Sequence, residues 1–207
     1  MNEKLVAGLM SGFGMKFLGL MRGTGIPTRV AMVATSASEV ELWHVRAVEL
    51  GDPDRVAQFN ADWYALATEF GLFSAERQFL VMLTPAIDPV FDQARESTDD
   101  WEDPAWWEHV WGLVELEGDW DLAGAGAASG VLGSGYACPA FVMSATDGSV
   151  FVVGAVWRDS IGVAVLPAPH CSAGLQEVAR RDLGSRRTEG EREDLLAWLA
   201  RGEDCHL

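Results

Sequence analysis

The residues with the clearest chemical potential lie between Asp99 and Asp121, where tryptophans are interleaved with carboxylates. Five tryptophans of the chain fall in this stretch, and no lysine or arginine does. Aromatic rings anchor protein interfaces, and carboxylates steer and pair with basic groups. The stretch therefore predicts an acidic, aromatic surface that recognises a basic protein.

The two acidic flanks of this stretch are expected to carry the contacts. Asp103-Pro104 is typical of a helix start, so a helix from Pro104 to Gly112 would turn Trp107 and Trp111 into the core. A strand over Leu113–Leu116 is the competing interpretation, because apolar and acidic residues alternate there. The predicted partner-binding residues are Asp99, Asp100, Trp101, Glu102, Asp103, Glu117, Asp119, Trp120 and Asp121.

Histidine and cysteine stand side by side twice, as His170-Cys171 and as Cys205-His206. Together they could present four zinc ligands, but zinc motifs usually space paired ligands by about two to four residues. Adjacent side chains diverge, so we predict no metal site and no cofactor. The odd cysteine count, completed by Cys138, predicts reduced thiols in a cytoplasmic protein rather than a disulfide framework.

No complete catalytic motif is present. The run Gly124–Gly130 has one residue too many for a dinucleotide-binding loop, and a GxSxG elbow is missing. A cysteine nucleophile at Cys138 or Cys171, or a carboxylate pair in a sugar cleft, remains open. We therefore predict a non-enzymatic binding protein. The alternative is a small-molecule enzyme or ligand-binding protein with a pocket between sheet and helices, marked by His44, His109 or Cys138.

The formal net charge of -16 limits the partners. Such a chain repels nucleic acid and anionic membranes and meets basic proteins quickly. Selection for solubility would give the same charge. By functional analogy with immunity proteins, we predict an acidic inhibitor or escort of a basic partner, for instance a toxin or nuclease. Self-association through the N-terminal helix and the glycine-rich segment is a third interpretation.

Periodicity and turn residues predict an α+β fold over 1–207 as a single domain, an antiparallel sheet packed against several helices. The Gly/Ala-rich residues 122–136 are expected to be either a flexible connector or a tightly packed backbone. The predicted helices cover Leu5–Met21, the residues from Asp52-Pro53 to Gly71, Ser172–Gly184 and Thr188–Gly202. The predicted strands are a hairpin of Arg29–Thr35 and Glu39–Val48, a buried run Phe79–Leu83, and a meander of Ala140–Ala145, Val150–Trp157 and Ile161–Leu166.

Overall fold

A seven-stranded antiparallel sheet forms the centre of the protein. The structure is a computed structural model, and it describes residues 1–34, 43–84, 110–184 and 188–206. In spatial order the strands run β1, β4, β3, β7, β8, β9, β2. In chain order they are β1 Met15–Met21, β2 His44–Glu49, β3 Gln78–Leu83, β4 Val110–Leu116, β7 Phe141–Ser144, β8 Val150–Val156 and β9 Ser160–Pro167, with β5 Gly133–Gly135 and β6 Cys138–Pro139 forming a separate ribbon.

Helices cover both faces of this sheet. The α-helices are α1 Glu3–Ser11, α2 Thr28–Ala34, α3 Arg55–Glu69, α4 Ala173–Leu183 and α5 Glu189–Glu203. A short π-helix spans Leu122–Gly126, and 3-10 turns span Pro169–Cys171 and Asp204–His206. The predicted α+β class and the antiparallel sheet are confirmed. Within the described residues, no helix is both long and apolar enough to cross a membrane.

Two hydrophobic cores lie on opposite faces of the sheet because successive strand side chains point in opposite directions. In β8, Val150 and Val152 join the core under α1 and α3, whereas Phe151 and Val153 join the core under α2, α4 and α5. The side chains on both faces of β8 are buried, so the strand is a nearly continuous run of apolar residues. The central strands are thus covered on both sides.

Several predicted elements are confirmed where local signals are strong. The stripe of α3 buries Phe59, Trp63 and Leu66, and the chain turns at Gly71 with a positive φ. The three-stranded meander forms as β7, β8 and β9, with Asp147-Gly148 in the first turn. Ser172 caps α4, and Thr188 forms a capping box with Glu191 at the start of α5.

The single helix predicted over Leu5–Met21 is wrong. The chain forms α1 up to Ser11, turns through Gly14, and continues as the edge strand β1. Gly14 has φ +83, and an added Cβ there would overlap the carbonyl oxygen of Asp119. This close approach of two chain segments ends the helical path, and a helical pattern alone cannot reveal it.

The predicted hairpin of Arg29–Thr35 with Glu39–Val48 is also wrong. Residues 28–34 form α2 and bury Val30, Ala31 and Ala34 against the second core. The second predicted strand exists as β2, but it pairs with β9 at the far edge of the sheet. A distant partner therefore replaces the neighbour that the sequence offered.

The strand interpretation for Leu113–Leu116 is correct, and the strand begins earlier than predicted, at Val110. Val110–Leu116 forms β4 between β1 and β3, so the helix predicted up to Gly112 does not continue here. Trp111 is buried as predicted, and its indole N–H donates to the Ile26 carbonyl at 2.8 Å. Asp88-Pro89 predicts a short helix reaching about Arg95. That segment and residues 104–109 both lie outside the described residues.

The Gly/Ala-rich segment 122–136 is largely packed against the rest of the protein. Leu122, Ala123 and Leu132 are fully buried. An added Cβ at Gly133 would overlap the Cys138 carbonyl oxygen, so the ribbon strands approach closely. These contacts favour the tightly packed interpretation of the segment.

Candidate functional site

The described part of the acidic stretch comprises β4 and the loop of residues 117–121, which connects β4 to the π-helix. The amide of Glu117 donates to the Gly14 carbonyl at 3.0 Å, and the amide of Asp121 donates to Phe13 at 3.1 Å. Two backbone hydrogen bonds and the close contact at Gly14 therefore hold this loop on the connection between α1 and β1. The loop is a positioned part of the surface.

Trp120 lies in an aromatic cluster at the edge of the first core. Its ring centroid is 5.1 Å from that of Trp63 and 5.4 Å from that of Tyr64, with which it is stacked. Trp120 is half-buried, whereas Tyr64 is 39% exposed. Phe73 extends the row, 5.9 Å from Tyr64. Trp120 thus makes a T-shaped contact with the buried Trp63 and stacks on the partly exposed Tyr64.

Asp121 acts as a cap within the fold. Its carboxylate accepts hydrogen bonds from Gly124 N, Ala125 N and Asn60 Nδ2, each at 2.8 Å. Asn60 Oδ1 in turn accepts from the amides of Leu122 and Ala123, both at 3.1 Å. Asp121 and Asn60 together satisfy the four N-terminal amides that a helix leaves without partners.

The electrostatics of Asp121 follow from these bonds. Burial by itself would raise the pKa of this carboxyl, but the hydrogen bonds from Asn60, Ala125 and Gly124 outweigh it and lower the pKa. The cap is therefore charged at neutral pH. The carboxylate of Asp121 is engaged in hydrogen bonds within the fold. The exposed carboxylates of the loop are therefore those of Glu117 and Asp119.

Exposed carboxylates lie in the same loop as Trp120. Glu117 and Asp119 are exposed, as is Glu76 on the neighbouring turn, where the Arg77 carbonyl accepts from Leu116 N at 3.1 Å. Arg77 adds one positive charge to this turn. We call Tyr64, Trp120, Glu117 and Asp119 the acidic–aromatic patch. Asp99, Asp100, Trp101, Glu102 and Asp103 lie outside the described residues, so their predicted role stays a prediction.

Sequence reasoning missed Tyr64. It lies on α3 next to the buried Trp63 but outside the apolar stripe of that helix, and it is exposed. A large aromatic residue on the solvent face of an amphipathic helix was the available signal. Only its distance to Trp120, 56 positions along the numbering, reveals the pair.

A separate pocket of about 340 Å³ lies between the sheet and the helices of the second face. Its lining includes the apolar side chains of Trp111 and Leu195. At its wall, Arg29 Nε lies 3.1 Å from Asp182 Oδ2, and Gly25 N donates to Asp194 Oδ1 at 2.7 Å. Burial, followed by repulsion from Glu193 and Glu191 and opposed by the Gly25 hydrogen bond, raises the pKa of Asp194.

His44 and Cys138, two of the residues named as markers of a ligand pocket, do not line this cavity. His44 is exposed on the edge strand β2, with its ring 4.3 Å from that of Phe70. Cys138 lies in the small ribbon, and His109 is outside the described residues. Among the described residues that line the pocket there is no histidine or cysteine. The structure thus offers a cavity for the alternative of a small-molecule site between sheet and helices. Charged and hydroxyl groups lie at the wall of this cavity.

The pairing of two cysteines corrects a further expectation. Cys171 and Cys205 form a disulfide with a Cα–Cα distance of 5.5 Å, where the sequence predicted reduced thiols. It joins the 3-10 turn after β9 to the turn after α5. Spacing along the chain could not show this, because folding of α4 and α5 brings the two ends together. Cys138 is unpaired.

Comparisons of this chain with models of protein families, with curated proteins and with solved structures find no match.

Proposed function

We propose that this chain is an acidic binding protein that inhibits or escorts a basic protein through the acidic–aromatic patch. The observation that supports the proposal is the stacked pair of Tyr64 and Trp120, partly exposed beside the carboxylates of Glu117 and Asp119. The net charge of -16 adds long-range attraction for a cationic partner. The patch combines aromatic rings with negative charge, whereas a uniformly acidic surface offers charge alone.

An arginine side chain is the group that best fits such a patch. Its planar guanidinium stacks on aromatic faces and pairs with carboxylates through a fork of donors. Lysine carries the same charge as a compact ammonium that stacks less well. The patch is therefore expected to prefer arginine-rich over lysine-rich segments of equal charge. Generic attraction by net charge would not produce that preference.

The proposal includes the cytoplasmic location predicted from the sequence. Cytosolic reductants keep thiols reduced, so Cys171 and Cys205 would be thiols in that compartment. The patch does not depend on this pair, because it lies over the first core whereas the cysteines adjoin the second. A toxin or nuclease, whose active surface is basic, is the class of partner that the charge fits.

The double substitution Glu117→Gln/Asp119→Asn is expected to weaken binding of a labelled arginine-rich peptide about fivefold to thirtyfold. Each exposed ion pair contributes up to about 1 kcal/mol, and about 1.4 kcal/mol corresponds to tenfold. Fluorescence anisotropy at low and at physiological salt measures the effect. The matched control is Glu177→Gln/Glu193→Gln, which removes the same charge from exposed positions on α4 and α5.

The control distinguishes a site from diffuse attraction. If both double variants lose affinity equally at physiological salt, where the Debye length is about 8 Å, the patch is not the binding site. Tyr64→Ala provides a second readout, because it keeps every charge. It should abolish the preference for the arginine-rich over the lysine-rich peptide; an unchanged preference would count against the stacking role.

Small-ligand binding in the pocket is the second candidate function, favoured by the cavity itself. A volume of about 340 Å³ lies within the range of ligand sites, roughly 300–1,000 Å³. Arg22 and Arg29 offer guanidinium groups, and Asp194 and Thr28 offer oxygen atoms. This set suits a small zwitterion, with its anionic group on the arginines and its cationic group on the carboxylate.

Native mass spectrometry of the chain purified from its own host tests the pocket. We expect a bound small molecule in the wild type and its loss in Arg22→Ala, because Arg22 is exposed at the pocket rim and removable without unpacking the core. Arg158→Ala, at an exposed turn remote from the lining, is the control. A wild type without adduct, or an adduct retained by Arg22→Ala, contradicts this use of the pocket.

A further inference from the structure

Three side chains with metal-binding atoms converge next to the C-terminal end of α5. His170, Cys171 and Cys205 each offer one ligand atom, and these three atoms lie within 4.8 Å of one another. The sequence argued against such a site because His170 and Cys171 are adjacent and their side chains should diverge. In the structure the 3-10 turn Pro169–Cys171 nevertheless places ligand atoms of both side chains near Cys205.

The surrounding contacts hold this cluster in place. Gln176 Nε2 donates to the His170 carbonyl at 2.7 Å, and Cys171 N donates to Ala168 at 2.8 Å. An added Cβ at Gly202 would lie 2.7 Å from the His170 carbonyl oxygen, so α5 packs directly on this turn. Positions 170 and 171 are therefore anchored independently of the bond to Cys205.

The imidazole of His170 is also suited to ligation. Its ring packs edge-on against Trp198, with centroids 6.0 Å apart. The Nδ1 atom is buried and has no hydrogen-bond partner among the described residues. Buried polar atoms are rarely left without a partner, so Nδ1 of His170 is available to bind a ligand that is not part of the chain.

We propose that the reduced chain binds a zinc ion through the thiolates of Cys171 and Cys205 and a ring nitrogen of His170. Zinc prefers this donor set, with bonds of about 2.0–2.3 Å and tetrahedral angles, so its ligand atoms stand about 3.3–3.9 Å apart. In the oxidised chain the two sulfur atoms are bonded to each other, and the ligand atom of His170 lies within 4.8 Å of both. Opening the disulfide must therefore let the sulfurs move apart to about 3.8 Å, while the imidazole is already near them. Three ligands among the described side chains leave the fourth position of the metal for water or another donor.

The disulfide and the metal site exclude each other because they use the same sulfur atoms. A phosphine reductant opens the disulfide by taking the oxygen of one water molecule, giving a phosphine oxide and two thiols. Zinc then displaces one proton from each thiol. The same pair therefore forms a covalent cross-link under oxidising conditions and a metal site under reducing conditions.

Metal titration of the two redox forms of the same chain tests the proposal. The wild type is reduced with a phosphine, desalted without oxygen, and titrated with zinc against a chromophoric chelator. We expect one zinc ion per reduced chain and none for the oxidised chain. Cobalt in place of zinc should show the intense thiolate-to-metal absorption. Equal zinc uptake by both forms, or none by a reduced chain whose circular dichroism shows it folded, overturns the proposal.

Single variants assign the ligands. Cys171→Ser, Cys205→Ser and His170→Ala should each weaken zinc binding by more than about a hundredfold, because even outer-shell losses cost about tenfold to a hundredfold. Cys138→Ser is the matched control and should bind as the wild type does, since Cys138 lies outside the cluster. Unchanged affinity in any of the three ligand variants contradicts the proposed set.

Discussion

Loss of the Cys171–Cys205 disulfide is expected to lower the free energy of unfolding by roughly 4 kcal/mol. The bond closes a loop with a sequence separation of 34, and closing it removes conformational freedom from the unfolded chain. For a chain of this size each kcal/mol corresponds to about 2–4 °C in Tm. The double variant Cys171→Ser/Cys205→Ser should thus melt roughly 8–16 °C below the oxidised wild type.

We expect the loss of stability to be largest in the elements that pack on the second core. The loop contains α4 and α5, which bury Leu175, Ala179, Leu195 and Trp198 against the sheet. Without the cross-link, the C-terminal turn is held by weaker contacts, and the end of α5 should open before the sheet does. Hydrogen exchange resolved along the chain would locate this change at α5.

Urea denaturation at neutral pH with a chelator present measures the effect. The chelator keeps metal away from any wild-type chain in which the disulfide is reduced. Cys138→Ser is the control, as it removes a cysteine that makes no cross-link. If the double variant is as stable as this control, or if both cysteines of the untreated wild type react with an alkylating reagent, the disulfide does not form in solution.

The substitution Gly14→Ala is expected to lower the free energy of unfolding by roughly 2–5 kcal/mol. A φ of +83 costs an alanine about 1–2 kcal/mol, because its Cβ approaches its own backbone. The added Cβ would also overlap the carbonyl oxygen of Asp119, and overpacking of this kind costs about 1–3 kcal/mol. The two costs arise from separate causes and add.

Gly71→Ala is the matched control for Gly14→Ala. Gly71 has a similar φ of +76, but an added Cβ there meets nothing within 4 Å. This variant should therefore show only the conformational cost, and the difference between the two variants measures the contact with the 117–121 loop. Equal losses of stability would mean that the loop shifts without cost.

The Gly14 variant also connects fold to function. The clash would displace the loop that carries Glu117, Asp119 and Trp120, so peptide binding by the acidic–aromatic patch should fall in Gly14→Ala. Gly71→Ala should retain it, once both are compared as folded protein. A displaced loop with unchanged peptide affinity would place the binding site elsewhere.

Elements with short-range signals could be predicted from the sequence. The stripe of α3, the turn at Asp147-Gly148 and the capping box of Thr188 with Glu191 each involve residues within a few positions of one another. Such signals act through local backbone geometry, which does not depend on the tertiary partners of the segment. The α+β class followed from them.

Elements whose partners are distant could not be predicted. The apolar residues of β1 fit a helical spacing, and only pairing with β4 makes them a strand at the sheet edge. Likewise β2 looks like half of a local hairpin until β9 is found beside it. Pairing free energy is gained between segments far apart in sequence, and local periodicity does not contain it.

The candidate sites divide in the same way. The sequence by itself determined the negative charge, the aromatic content and the histidine and cysteine types, because these are properties of composition. Only the tertiary structure decided that Asp121 caps a helix, that Tyr64 stacks on Trp120, and that Cys171 meets Cys205. A side chain's role depends on what surrounds it, and those surroundings are assembled by long-range packing of the two cores on one sheet.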